Sequence, residues 1–139
     1  MTYLNKSFND IVNTKSVTGD VTLDRIESGQ AILVDGSSAG NFTITLPTAE
    51  AGLYYPIVLV ADSHANTEIL LDAGSGSTIN GYVVVATSMG TTGTAVSNQK
   101  VGFGDASKDG SAMHLICDGT NWFLNYAISG VNFITSDFS

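Results

Sequence analysis

The sequence predicts an all-β domain, a single antiparallel β-sandwich or barrel of jelly-roll type preceded by an extended N-terminal arm. Three observations lead there. Short apolar segments separated by clusters of Gly, Asp, Asn and Ser recur at close spacing, about eight to ten in all. No window of a dozen residues carries helical periodicity. The stretch Gly110 to Asn125, GSAMHLICDGTNWFLN, reads as a hairpin, because two apolar runs meet at Asp118-Gly119, a pair suited to the positive backbone angles of a tight turn.

Residues 1–14 are polar with scattered Tyr3, Leu4, Phe8, Ile11 and Val12, and read as an arm that docks onto a partner surface. Residues 15–139 form the β-rich domain. In SVTGDVTL, Val17, Val21 and Leu23 flank a turn or bulge at Gly19-Asp20. Residues 30–34, QAILV, and the alternating Phe42, Ile44 and Leu46 are expected to pair as a second hairpin across the turn cluster Asp35–Gly40. The large residues should point inward and Thr43 and Thr45 outward, with Pro47 ending the strand.

Ile57 to Val60 and Ile69 to Leu71 are apolar at successive positions, so both faces of these strands need cover. In so small a domain the second cover is expected from a neighbouring subunit, which makes Ile57, Leu59, Ile69 and Leu71 interface candidates. Asp72 to Gly81 reads as a polar turn, Tyr82 to Ala86 as a strand and Thr87 to Gln99 as a long exposed loop. Lys100 to Gly104 resumes a strand, with Gly102 and Gly104 marking close approach of another backbone or a bend. Phe133, Ile134 and Phe138 supply a last short strand.

On the hairpin the turn leaves two registers open. A two-residue loop sets Leu115 opposite Trp122, and a four-residue loop sets Cys117 there. Both put Met113, Leu115 and Cys117 on one face with Trp122, Leu124 and Tyr126, a stripe that a second layer must cover, with Trp122, Leu115 and Leu124 as structural core.

Composition limits the functions on offer. Among 139 residues, charged side chains make up 13% and apolar ones 43%, with a formal net charge of -8. Ordinary domains carry about 25% charged residues. The negative charge repels phosphate backbones and anionic lipid, so neither nucleic acid nor a membrane is an expected partner. The apolar excess points to burial between subunits, and hence to a homo-oligomer. The N-terminus lacks the apolar run of a secretory signal, and no stretch approaches the length of a membrane span, so synthesis in the cytoplasm is expected. A single cysteine, Cys117, cannot form an internal disulfide and reads as buried and inert.

No catalytic constellation is visible. The glycines of Asp72 to Gly81 lack the Lys and following helix of a phosphate-binding loop and the carboxylate spacing of a calcium loop. His64 and His114 are the only histidines, too few for a zinc site. Most acidic residues fall in turns, where aspartate is expected to bond local backbone. No cofactor, metal or enzymatic activity is expected. Tyr54, Tyr55 and Tyr82 suit either a sugar-stacking patch or a subunit interface.

Three stretches, Phe42-Thr-Ile-Thr-Leu-Pro47, Ile69-Leu-Leu-Asp-Ala-Gly-Ser-Gly-Ser-Thr-Ile-Asn-Gly81 and Met113-His-Leu-Ile-Cys-Asp-Gly-Thr-Asn-Trp-Phe-Leu124, resemble a layout common in tailed-bacteriophage virion proteins. There a Leu-Pro strand end, a Thr-Ile-Asn-Gly turn and a strand ending in Asp-Gly-Thr-Asn-Trp follow in that order. The layout is shared by head decoration (cement) proteins and by tail or fibre modules. One compact domain behind a short arm favours the decoration protein. The resemblance then implies a small trimer on the capsid surface of the virion, clamping neighbouring copies of the major capsid protein, with Tyr3, Leu4, Phe8, Ile11 and Val12 of the arm as anchor. A short tail-fibre or receptor-binding tip and a small carbohydrate-binding module are the alternatives.

Overall fold

A computed structural model describes residues 13–87, 90–135 and 137. Twelve strands pack as two sheets: β1 (Thr14–Val17), β2 (Val21–Thr22), β3 (Ala31–Asp35), β4 (Phe42–Thr45), β5 (Tyr54–Ala61), β6 (Ile69–Asp72), β7 (Ile79–Thr87), β8 (Gly90–Asn98), β9 (Lys100–Phe103), β10 (Ala112–Cys117), β11 (Trp122–Ser129) and β12 (Phe133–Ile134). The larger sheet has seven strands in the order β1-β3-β5-β10-β11-β7-β8, the smaller five in the order β12-β9-β6-β4-β2. The sandwich expected from the sequence is present.

Both sheets are mixed, where antiparallel ones were expected. The first six strands alternate between the sheets, so β1, β3 and β5 lie parallel in one and β2, β4 and β6 parallel in the other. Residues 30–46 are therefore no hairpin: β3 and β4 belong to different layers, and Asp35–Gly40 carries the chain between them. Each pair of strands is one turn of a short coil. Unequal connections, from three residues to eight, hide that repeat from the sequence. One connection contains a turn of 3-10 helix, Arg25–Glu27, closed by a capping box in which Asp24 accepts from Ile26 N–H at 3.0 Å and Glu27 accepts from Asp24 N–H at 2.9 Å.

The core lies between the layers. Phe42, Ile44 and Leu46 point into it while Thr43 and Thr45 stay half exposed, as the alternation requires. Ile57, Leu59, Ile69 and Leu71, expected at a subunit interface, are 0–1% exposed within this chain's own core. Both faces of Ile69–Leu71 are covered within this chain, Leu70 included, whereas on β5 Val60 is left exposed. Gly102 meets its expectation: a Cβ there would fall 2.0 Å from the Ile69 carbonyl oxygen, and one on Gly104 would fall 1.7 Å from Asn132 Oδ1.

The hairpin of β10 and β11 takes the register with Cys117 opposite Trp122 and Leu115 opposite Leu124. Trp122 and Leu115 are fully buried, Cys117 is buried and Leu124 packs against the core from a half-buried position. Tyr126 departs from the expected stripe. The register slips between His114 and Leu115, Asn125 becomes an extra residue on β11, and Ala127 turns inward while Tyr126 faces out at 52% exposure. The stretch expected as a loop, residues 87–99, contains β8, which is exposed as foreseen but pairs with β7 along its whole length. Thr14 belongs to β1 and Asn13 O accepts from Ala31 N–H at 2.9 Å, so the β domain begins slightly before residue 15. Tyr3, Leu4, Phe8, Ile11 and Val12 lie outside the described residues.

Candidate functional site

The inner strands of the larger sheet send one set of residues to the core and the other to the opposite face. On β5, Tyr55, Ile57 and Leu59 go in and Tyr54, Pro56, Val58 and Val60 go out. On β10, Met113, Leu115 and Cys117 go in, leaving Ala112, His114 and Ile116 outside. The ladders align these outward residues in rows: Tyr54, Ile116 and Phe123; then Pro56, His114 and Tyr126; then Leu33, Val58, Ala112, Ile128 and Val84. Phe123 is 39% exposed, Ile116 40% and Val60 50%.

No Lys, Arg, Asp or Glu occurs in β5, β10, β11, β7 or β8, five adjacent strands of this sheet. A solvated sheet face is ordinarily polar at alternate positions. Here a chain of net charge -8 keeps its charge off one broad face. The one imidazole there, His114, is pushed by burial below its ordinary value, which favours its neutral form. His114 sits edge-on to Tyr54 at 6.4 Å between ring centroids and tilted against Tyr126 at 5.1 Å.

A groove of about 430 Å³ opens on this face, walled by Tyr82 and Tyr126 with Leu124, Ala127, Val84 and Ile128 between them. It forms where the β11–β7 ladder lapses between Leu124 and Ile128. Gly81 sets its end. Its φ is 145°, and a Cβ added there would fall only 2.9 Å from Leu124 Cβ, so the position admits no larger residue without a shift. Tyr82, 67% exposed, holds one wall. Of the tyrosines named for sugar stacking, Tyr82 and Tyr54 are on this face. Tyr55 is in the core, 5.8 Å from Trp122 between ring centroids, with its O–H donating to Asp24 O at 2.7 Å.

Several carboxylates sit in turns or at the strand ends beside them, close to what their sequence positions suggested. Asp62 accepts from Asp109 N–H at 2.8 Å and from Lys108 Nζ at 3.0 Å, Asp118 from Asn121 and Thr120 N–H at 2.8 Å each, and Asp35 from Ser37 N–H at 2.9 Å. These bonds hold all three below the usual carboxylate range. At Glu27 burial opposes ionisation, but the Asp24 N–H and Lys15 outweigh it and the carboxyl is likewise lowered. Among the described residues no three His, Cys, Asp or Glu side chains gather into a metal-binding group. His64 lies in the loop after β5, its Nδ1 accepting from Asn66 N–H at 3.3 Å.

The recurrent motifs meet in space. Asn121 Oδ1 accepts from Thr78 N–H at 3.0 Å and from Thr78 Oγ1 at 3.1 Å, Trp122 N–H donates to Thr78 O at 2.8 Å, and Ser77 Oγ donates to Thr120 O at 2.8 Å. Thr-Ile-Asn-Gly and Asp-Gly-Thr-Asn-Trp are thus two halves of one clasp that starts the parallel β7–β11 pairing. Their work is architectural.

The outer-face residues Phe123, Ile116, Pro56, Val58 and Val60 were not singled out from the sequence, and Tyr126 was assigned to the inner stripe. The signal was available as five strand segments without a charge. No family model matches the chain, and no curated protein matches it in sequence.

Proposed function

We propose that the chain is a non-enzymatic structural protein of a tailed-bacteriophage virion. It binds the outside of the capsid as a homotrimer and stabilises contacts between major capsid subunits, and the outer face of the seven-stranded sheet serves as a docking surface. The charge-free run of five strands carries this reading. Interface cores are depleted of charged residues and enriched in aromatics, and this face matches that description. The virion setting rests on the resemblance through Phe42–Pro47, Ile69–Gly81 and Met113–Leu124.

The test is co-sedimentation with purified phage heads lacking decoration. The full chain is expected to pellet with heads at a fixed stoichiometry, and Phe123→Asp to remain in the supernatant. No binding to heads of any candidate phage, together with binding to whole host cells, would replace this reading by a receptor-binding tip. The exposed walls Tyr82 and Tyr126 favour a second reading as a small carbohydrate-binding module, since tyrosine rings flanking a groove can stack on sugar faces. A glycan array on which Tyr82→Ala loses a signal given by the full chain would support it.

A further inference from the structure

The two sheets have four edges, and three of them are short: β1 spans four residues with Lys15 among them, and β2 and β12 span two each. The fourth, β8, runs nine residues, GTTGTAVSN, with no charge and no proline. Sheet edges that must stay single are normally blunted by brevity, charge or proline. β8 has none of these devices.

Thr87 and Gly90 face each other across the turn, so Gly90, Thr92, Thr94, Val96 and Asn98 bond to β7, and Thr91, Gly93, Ala95 and Ser97 present N–H and C=O groups outward. Consistently, Ser97 N–H is met by Asn98 Oδ1 at 3.3 Å. Among the described residues no strand pairs with that outer edge.

We infer that residues 1–12 of one copy add as a strand to the β8 edge of a neighbouring copy, which closes the oligomer head to tail. The inference rests on the homo-oligomer of the proposed function. Two observations select this occupant. The first is reach: the described chain starts at Asn13, beside β1, at the opposite edge of the same sheet from β8. Six strand spacings of about 4.8 Å separate those edges, roughly 29 Å. Pairing with all nine residues of β8 leaves three of the twelve as connector. Three residues span at most about 10 Å. Residues 1–12 therefore cannot line their own β8 and can line only that of another copy.

The second observation is charge. Residues 1–12 carry Lys6 and Asp10, which cancel, so the segment brings no net charge to an uncharged edge, whereas the remainder of the chain is strongly acidic. Ladder hydrogen bonds supply the attraction, and the side chains of the added strand alternate between its two faces, with Leu4 and Phe8 on one and Tyr3 on the other. A head-to-tail contact of this kind closes into a ring when its rotation fits, and a trimer is one such ring.

The test uses the full chain. Ala95→Pro removes one outward N–H and leaves the β7 ladder intact, because proline is tolerated on an edge strand where its nitrogen faces away from the partner. Light scattering should give about three times 14.5 kDa for the parent chain, and Ala95→Pro should weaken association at least tenfold with an unchanged circular dichroism spectrum. In a second experiment, chains bearing Asn5→Cys, Ser7→Cys or Asn9→Cys are each mixed with a chain bearing Thr92→Cys and oxidised. A disulfide between the two different chains in at least one mixture is expected, and it decides the matter if Ala95→Pro fails to fold. An oligomer that survives Ala95→Pro and yields no disulfide in any mixture overturns the inference and leaves the oligomer standing. A parent chain that stays monomeric at every concentration overturns both.

Discussion

Replacing Trp122 tests the core and one of its imperfections together. The indole is fully buried between the sheets, against Tyr55, and its Nε1 has no hydrogen-bond partner. A buried indole removes about 200 Å² from water, worth about 5 kcal/mol at ~25 cal/mol/Å². The unpaired N–H offsets about 1–3 kcal/mol of that. Trp122→Ala is therefore expected to destabilise by about 2–4 kcal/mol, towards the lower end of the usual range for emptying such a site. For a domain of this size that lowers the melting temperature by roughly 6–15 °C. Trp122→Phe keeps most of the ring and removes the unpaired donor, so it should fall within about 1 kcal/mol of the parent. Urea unfolding followed by circular dichroism measures both, since fluorescence loses its only tryptophan. If Phe cost as much as Ala, the indole N–H would have to be bonded in solution, and the offset would be wrong.

Phe123→Asp on the outer face should cost about 1 kcal/mol of stability, a strand-propensity effect, while abolishing association; equal loss of folding and association in thermal and light-scattering measurements would make that face core. Gly102→Ala forces a Cβ against the backbone of β6, 2.0 Å from Ile69 O, and should lower stability by about 3 kcal/mol, seen as an earlier urea midpoint. Asp35, Asp62, Asp118 and Glu27 have folded-state pKa values below the ordinary 3.8 and 4.5, so they stabilise the fold above those values, and the contribution disappears as pH falls through the depressed ones; the melting temperature should decline on acidification from about pH 4.5. At the other end, burial, followed by the charges of Glu27 and Asp24, pushes the Tyr55 hydroxyl up to about 12 from 10.0, so stability present below pH 10 is lost as pH rises towards 12, and Tyr55→Phe should flatten that alkaline limb in a melting series.

What could be read in advance was local. The β10–β11 hairpin was legible because Asp118-Gly119 and the flanking alternation lie within sixteen residues of each other. The strands at Ala31–Asp35 and Phe42–Thr45 were legible as strands, but alternation is the same whether the next strand pairs beside the first or crosses to the other layer. β8 was missed because GTTGTAVSN has almost no large apolar residue to set a period; it is a strand through its ladder with β7, and only Val96 is buried. Tyr126 was placed inward because nothing in Asn125 announces the extra residue that reverses the face beyond it. The outer face was foreshadowed by the doubly apolar run Ile57 to Val60. Choosing Ile57 and Leu59 as its exposed members took the wrong alternate set, a choice that needs the second sheet to settle.

The alternation of the first six strands between layers has a consequence for how the chain is made. As it leaves the ribosome, β5 is complete long before its neighbour β10 exists, and β7 must wait for β11 to appear before its inner side is paired. No hairpin is available anywhere in residues 14–72 to hold structure in the meantime. The parallel ladders of the amino-terminal half lie within residues 14–72, but the larger sheet closes only after residues 112–129 have emerged. Such distant pairings place the chain among slow folders, on the order of milliseconds to seconds. During that interval its uncharged strands are open to the wrong partners, so folding yield should depend on expression temperature and on chaperone supply more steeply than native-state stability alone would suggest.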